Sequence, residues 1–138
     1  MDKKVWIGAG VVFVLLVILG MLIHGVLLQS TYAAMDPGMM RPEAEMKMWI
    51  IFVVDAVVAF FFTLIFSKGY ENKGIAEGVR YGFYVGMMFG ISMAYGSYAS
   101  MPIPYYLALQ WFLYTIVQYI VCGVALAFVF KPKAAATP

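Results

Sequence analysis

The sequence predicts an all-α membrane protein, four transmembrane helices in an antiparallel up-down bundle, and three observations lead there. Of its 138 residues, 64% are hydrophobic and 12% are charged, about half the charged share of a soluble domain, and the mean hydropathy is +0.90. Its apolar residues fall into four runs, each long enough for the ~20 residues that a helix needs to cross a bilayer. Its Lys and Arg residues alternate between a rich and a poor side. Lys3, Lys4, Lys68, Lys73, Arg80, Lys131 and Lys133 fall on one side, and Arg41 and Lys47 on the other. By the positive-inside rule both termini are expected in the cytoplasm. A net charge of +2 gives no footing for nucleic acid. The single Cys122 excludes an intrachain disulfide and a thiolate-rich metal site.

The first run, expected over about 5–30, follows Asp2-Lys3-Lys4 and continues past His24. A signal peptide would have a shorter apolar core and a small-residue cleavage site, so this run is expected to be a retained helix. Asp36-Pro37-Gly38 marks a turn. The second helix is expected over about 43–67, because Pro42 suits a first helical turn and Glu43 and Glu45 suit its dipole. Lys68–Lys73 reads as a polar loop, and the third helix is expected over about 74–98. Pro102 and Pro104 make a tight turn that opens the fourth, over about 104–130. Lys131-Pro132-Lys133 ends it, and 131–138 is a cytoplasmic tail without core-forming residues. Laying Gly20–Met35 on Gly86–Met101 matches 5 of 16 positions. Either the chain is two duplicated hairpins related by an axis along the membrane normal, or membrane composition produces the match.

The third helix carries Gly78, Gly82, Gly86, Gly90 and Ala94, five small residues spaced four apart. Such a glycine-zipper row forms a groove that lets another helix approach closely, the packing on which membrane helices depend. The fourth or first helix, or a helix of another chain, is expected to fill it.

His24 and Asp55 are the residues most costly to a bilayer. Each lies eight residues inside an outer landmark, Tyr32 and Lys47, which places both ~12 Å deep. An ionisable group at such depth costs at least about 2.5 kcal/mol and seeks a partner. A His24–Asp55 pair is therefore expected, serving as a proton or cation relay, as a ligand anchor, or as a clamp between helices. Gln110, Tyr114, Gln118 and Cys122 form a semi-polar ridge on the fourth helix that Ser92 and Tyr95 could meet, lining a small pocket or simply hydrogen bonding. Glu77 and Arg80 sit three apart at the cytoplasmic mouth of the third helix, as an interface pair or as a docking surface. Tyr32, Trp49, Tyr98, Tyr105, Tyr106 and Trp111 read as an outer aromatic belt, and Trp6, Tyr70 and Tyr81 as an inner one.

Eleven methionines are the remaining excess, with Met35, Met39, Met40, Met46 and Met48 in and after the outer loop. Met39-Met40, with Met35 four before, resembles the methionine clusters of copper-handling membrane proteins. That makes Met35, Met39 and Met40 candidate Cu(I) ligands, against the plainer role of methionine as a gap-filler.

The segment Lys73-Gly-Ile-Ala-Glu-Gly-Val-Arg-Tyr-Gly, Tyr98 to Pro102-Ile-Pro104, Trp111, His24-Gly25 and Arg41-Pro42-Glu43 together resemble small four-helix proteins of bacterial inner membranes, a group with no assigned activity. The resemblance implies four helices and a bacterial plasma membrane, and brings no site with it. No nucleotide loop, zinc-protease motif or Ser/His/Asp set is present. The leading expectation is therefore a non-enzymatic accessory or scaffold subunit, working through helix packing as a homo-oligomer or within a larger membrane complex. The alternative is a small transporter or channel for protons, a cation or a small apolar ligand, centred on His24, Asp55, Tyr95 and Gln118.

Overall fold

The computed structural model describes residues 1–132; Lys133 and the remainder of the expected tail lie outside the described residues. Among the described residues the regular structure is entirely helical. Helix α1 spans Lys3–Leu22 and begins where the Asp2 carboxylate accepts a hydrogen bond from the Lys4 amide at 3.0 Å. It then widens into a π turn, Ile23–Leu27, and resumes briefly as α2, Gln29–Ala33. The uninterrupted first helix expected to about residue 30 is thus broken at His24. In the wide turn the Leu28 amide reaches the Ile23 carbonyl at 2.8 Å.

Helix α3 spans Met48–Lys68. It begins five residues later than the expected 43, because Met46 is extended and Glu43–Glu45 is an isolated 3-10 turn. None of these three residues has a buried side chain, so no packing offsets the cost of continuing the helix backward. Helices α4, Ile75–Ser100, and α5, Tyr105–Phe130, flank the proline turn. Three helical segments, Lys3–Leu27, α3 and α5, are long and apolar enough to cross a membrane. Helix α4 is as long as α5 but less apolar, since glycine and alanine replace larger side chains along the face that α5 covers.

That face is the small-residue row. A Cβ on Gly78 would collide with the Gly123 carbonyl, and one on Gly82 with the Tyr119 carbonyl. One on Gly86 would stand 2.8 Å from the Ile116 α-carbon, and one on Gly90 3.2 Å from the Phe112 oxygen. Positions rise on α4 as they fall on α5, so the two helices run in opposite directions with their backbones almost touching. Ala94 closes the row, fully buried.

The main core lies where α1, α3 and α5 meet: Val5, Val12 and Leu16 pack with Ala59, Phe62 and Phe66, and with Tyr119, Cys122, Leu126 and Phe130. Gly8 admits this junction, since a Cβ there would lie 2.7 Å from the Thr63 methyl and 2.9 Å from a Leu126 methyl. The start of α1 and the end of α5 share one end of the molecule, where the Lys4 Nζ donates to the Phe130 carbonyl at 3.2 Å. The α3–α4 loop is at that end too, with the Tyr70 and Phe130 rings 5.7 Å apart. A smaller cluster of Ile103, Leu107 and Ala108 packs at the other end with Tyr32, Met35, Met39 and Trp111.

Candidate functional site

The polar residues gather at three places, and their partners differ from several of those the spacing suggests. His24 does not bond Asp55. Its Nδ1 lies 2.6 Å from the Tyr32 hydroxyl, which in turn accepts from the Trp111 Nε1 at 2.8 Å. An indole N–H can only donate, so Tyr32 is the acceptor in its bond to Trp111, and the direction of its bond to His24 follows the His24 tautomer. The π turn and the short α2 bring these residues together by returning the chain onto α5. Tyr32 and Trp111 therefore work as an interhelical bridge rather than as separate belt residues.

Asp55 sits half-buried on α3, one turn before the buried Ala59. Its charge acts on Tyr119 and Cys122 of α5. Among the described residues it forms no hydrogen bond or ion pair; the two ion pairs are Lys73–Glu71 and Arg80–Glu71, both in and beside the α3–α4 loop. The expected His24–Asp55 pair is therefore absent, because the wide turn directs His24 along its own chain to Tyr32.

The ridge on α5 does not face Ser92 and Tyr95. Gln110 accepts from the Thr31 hydroxyl at 3.2 Å, and the Gln118 Nε2 donates to the Leu16 carbonyl at 3.3 Å. The two amides tie α5 to α2 and to α1, away from the glycine row. Tyr95 instead meets the Tyr105 hydroxyl at 3.2 Å, and Ser92 is exposed. The pocket expected from Ser92, Tyr95, Gln110, Tyr114 and Gln118 does not form, since α4 turns glycines toward α5 where polar side chains would have to meet.

At the other end, Glu77 and Arg80 do not pair. Glu77 is only 5% exposed, and its carboxylate accepts the Glu71 amide at 2.6 Å and the Lys73 amide at 2.8 Å. Two turns of the chain make this clamp possible: Asn72 adopts φ 59° and Gly74 φ 74°, conformations open to asparagine and glycine. Arg80 approaches Glu71 at 3.9 Å, and Lys73 bonds the same carboxylate. That hydrogen bond, together with the charge of Lys73, holds the Glu71 carboxyl below its usual range. Tyr81, expected in the inner belt, points inward and donates to the Phe62 carbonyl at 2.6 Å.

The methionine set also rearranges. Met35, Met40 and Met46 line one open cleft; Met35 also packs on the Ile103 cluster, where Met39 packs without bordering the cleft. The three candidate ligands Met35, Met39 and Met40 thus do not share a site. Among the described residues no three His, Cys, Asp or Glu side chains come together.

Comparison with protein-family models, curated proteins and solved structures finds no match. The residues that composition left unmarked are Gly123 and Gly8, the two points of closest approach outside the row, and Thr63, whose buried hydroxyl has no hydrogen-bond partner. Gly123 carries a signal in retrospect: it is the one glycine in a 26-residue helix of bulky apolar residues.

Proposed function

We propose that this chain is a non-enzymatic accessory or scaffold subunit of a bacterial inner membrane, acting through helix–helix packing with a second copy or a larger membrane complex. In this reading α4 is a fourth span, the bundle is antiparallel, and both termini face the cytoplasm. The gathering of Lys4, Lys73, Arg80 and Lys131 at one end of the molecule supports that orientation.

Asp55 carries the proposal. An apolar spanning helix bears an acidic side chain ~10 Å from its start at Met48, half-buried and without a partner among the described residues. In lipid a group that finds no partner among the described residues calls for a hydrogen-bond donor or a cation, and a neighbouring helix can supply one. The glycine row cannot serve the same purpose, since α5 already fills it. The full chain in mild detergent is expected to run as an oligomer or a complex. Asp55→Leu, with helix content retained, is expected to release the monomer. A parent protein that is monomeric and unaccompanied in both detergent and nanodiscs would overturn the proposal.

The same carboxylate supports a second reading, a small transporter or channel for protons, a cation or a small apolar ligand. Proton or cation flux into proteoliposomes that is abolished by Asp55→Asn would favour it; absence of flux in the parent protein would remove it.

A further inference from the structure

In the loop between α2 and α3, Met35 both packs on the Ile103 cluster and borders an open cleft, whereas the other methionines divide between the two. Met39 packs on Ile103, Leu107 and Ala108, the gap-filling use to which this flexible side chain is suited. Met40 and Met46 do no such filling: each is 40% exposed, and together with Met35 they border an open cleft of about 290 Å³. The backbone presenting them is already folded. The Met39 amide bonds the Asp36 carbonyl at 3.1 Å, Glu45 bonds Pro42 at 2.9 Å and Met46 bonds Glu43 at 3.2 Å. Pro37 and Pro42, both on the cleft wall, hold φ fixed. Little ordering then remains to oppose binding.

A thioether is a soft, uncharged donor that competes poorly for Zn²⁺, Mg²⁺ or Ca²⁺ and well for Cu(I). Asp36 borders the same cleft and offers the negative charge that three neutral sulfurs lack, while Arg41 across the rim opposes a divalent ion more than a monovalent one. We propose that this cleft binds Cu(I) through the sulfurs of Met35, Met40 and Met46. The metal enters and leaves in the same oxidation state, so no electron is exchanged.

The test uses the full chain in detergent, without oxygen, titrated with Cu(I) presented as its bicinchoninate complex. The parent is expected to withdraw one equivalent, and X-ray absorption of the loaded protein to show sulfur neighbours. A variant carrying Met35→Leu, Met40→Leu and Met46→Leu should bind at least about tenfold more weakly, since losing a supporting group alone costs that much at metal sites. Met39→Leu should bind as the parent does. Leucine conserves volume, and circular dichroism checks the fold. If the triple variant fails to fold, Met40→Leu and Met46→Leu singly carry the test, because both positions are exposed. The proposal is overturned if the parent takes no Cu(I), if these variants bind as tightly as the parent, or if Met39→Leu weakens binding as much as they do.

Discussion

Gly78 and Gly123 lie back to back, so that a Cβ on either would strike the carbonyl oxygen of the other. This crossing lets α4 and α5 share a backbone-to-backbone seam. Adding a methyl group at the seam must therefore push the helices apart. Gly82→Ala and Gly123→Ala are each expected to cost about 1–3 kcal/mol as overpacking. Gly10 and Gly20 have open space around the same hypothetical atom. Alanine there should be neutral or stabilising by about 0.5–1 kcal/mol. Thermal unfolding of the four variants in one detergent compares them directly.

Thr63 makes the opposite case. Its hydroxyl is fully buried beside Gly8 and bonds nothing, and an orphaned buried polar group costs about 1–3 kcal/mol. Thr63→Val keeps the branched shape and removes the oxygen. The variant is expected to unfold at a higher temperature than the parent, and a lower one would show that the hydroxyl is satisfied after all.

The Glu77 clamp holds the α3–α4 loop by two charge-assisted bonds. Glu77→Gln leaves one neutral acceptor for two amides and should cost about 2 kcal/mol. Hydrogen exchange at the Glu71 and Lys73 amides is expected to accelerate before the rest of the fold responds.

Glu71 supplies the pH dependence of this loop. Its folded-state pKa lies below the ordinary 4.5, first through the hydrogen bond from Lys73 and then through that residue's charge. A depressed carboxylate contributes stability that is present above its unfolded value and is lost as pH falls through its folded one. The melting temperatures of the parent and of Glu71→Gln should therefore differ at pH 7 and converge as the pH falls below the ordinary 4.5. A gap that stays constant over that range would assign the pair no role.

Tyr32 joins two helical segments through a single oxygen. Tyr32→Phe removes both the acceptor of Trp111 and the partner of His24, at a cost of about 1 kcal/mol. The indole N–H resonance of Trp111 is expected to move upfield and exchange faster in the variant.

The helical class was legible because apolar runs long enough to cross a membrane have few other ways to satisfy their backbone there. The common face of Gly78, Gly82, Gly86 and Gly90 was legible too, since a spacing of four places residues together on any α-helix. Partner choice was not. Spacing says which residues share a face but not which helix approaches it, so α5 could be named only as one candidate. The spacing of His24 and Asp55 from Tyr32 and Lys47 predicts a similar depth, which is not adjacency. Depth fixes one coordinate, whereas a bond also needs the rotation of both helices, and that of His24 is altered by the π turn. For the same reason Gln110 and Gln118 were aimed at α4 although they bond to α2 and α1. The start of α3 was misplaced because Pro42, Glu43 and Glu45 favour a helical turn without deciding whether that turn continues.

The widened turn at Ile23–Leu27 also governs how this protein can change length. One added residue advances everything beyond it by about 100° around the axis, and that advance aims Thr31 at Gln110 and Tyr32 at Trp111. Removing Gly25, around which there is room for a side chain, would leave a helix as greasy as before and nearly as long. Yet both aromatic and hydroxyl groups would then swing away from α5. Hydropathy would register almost nothing, while α2 would come unlatched from α5.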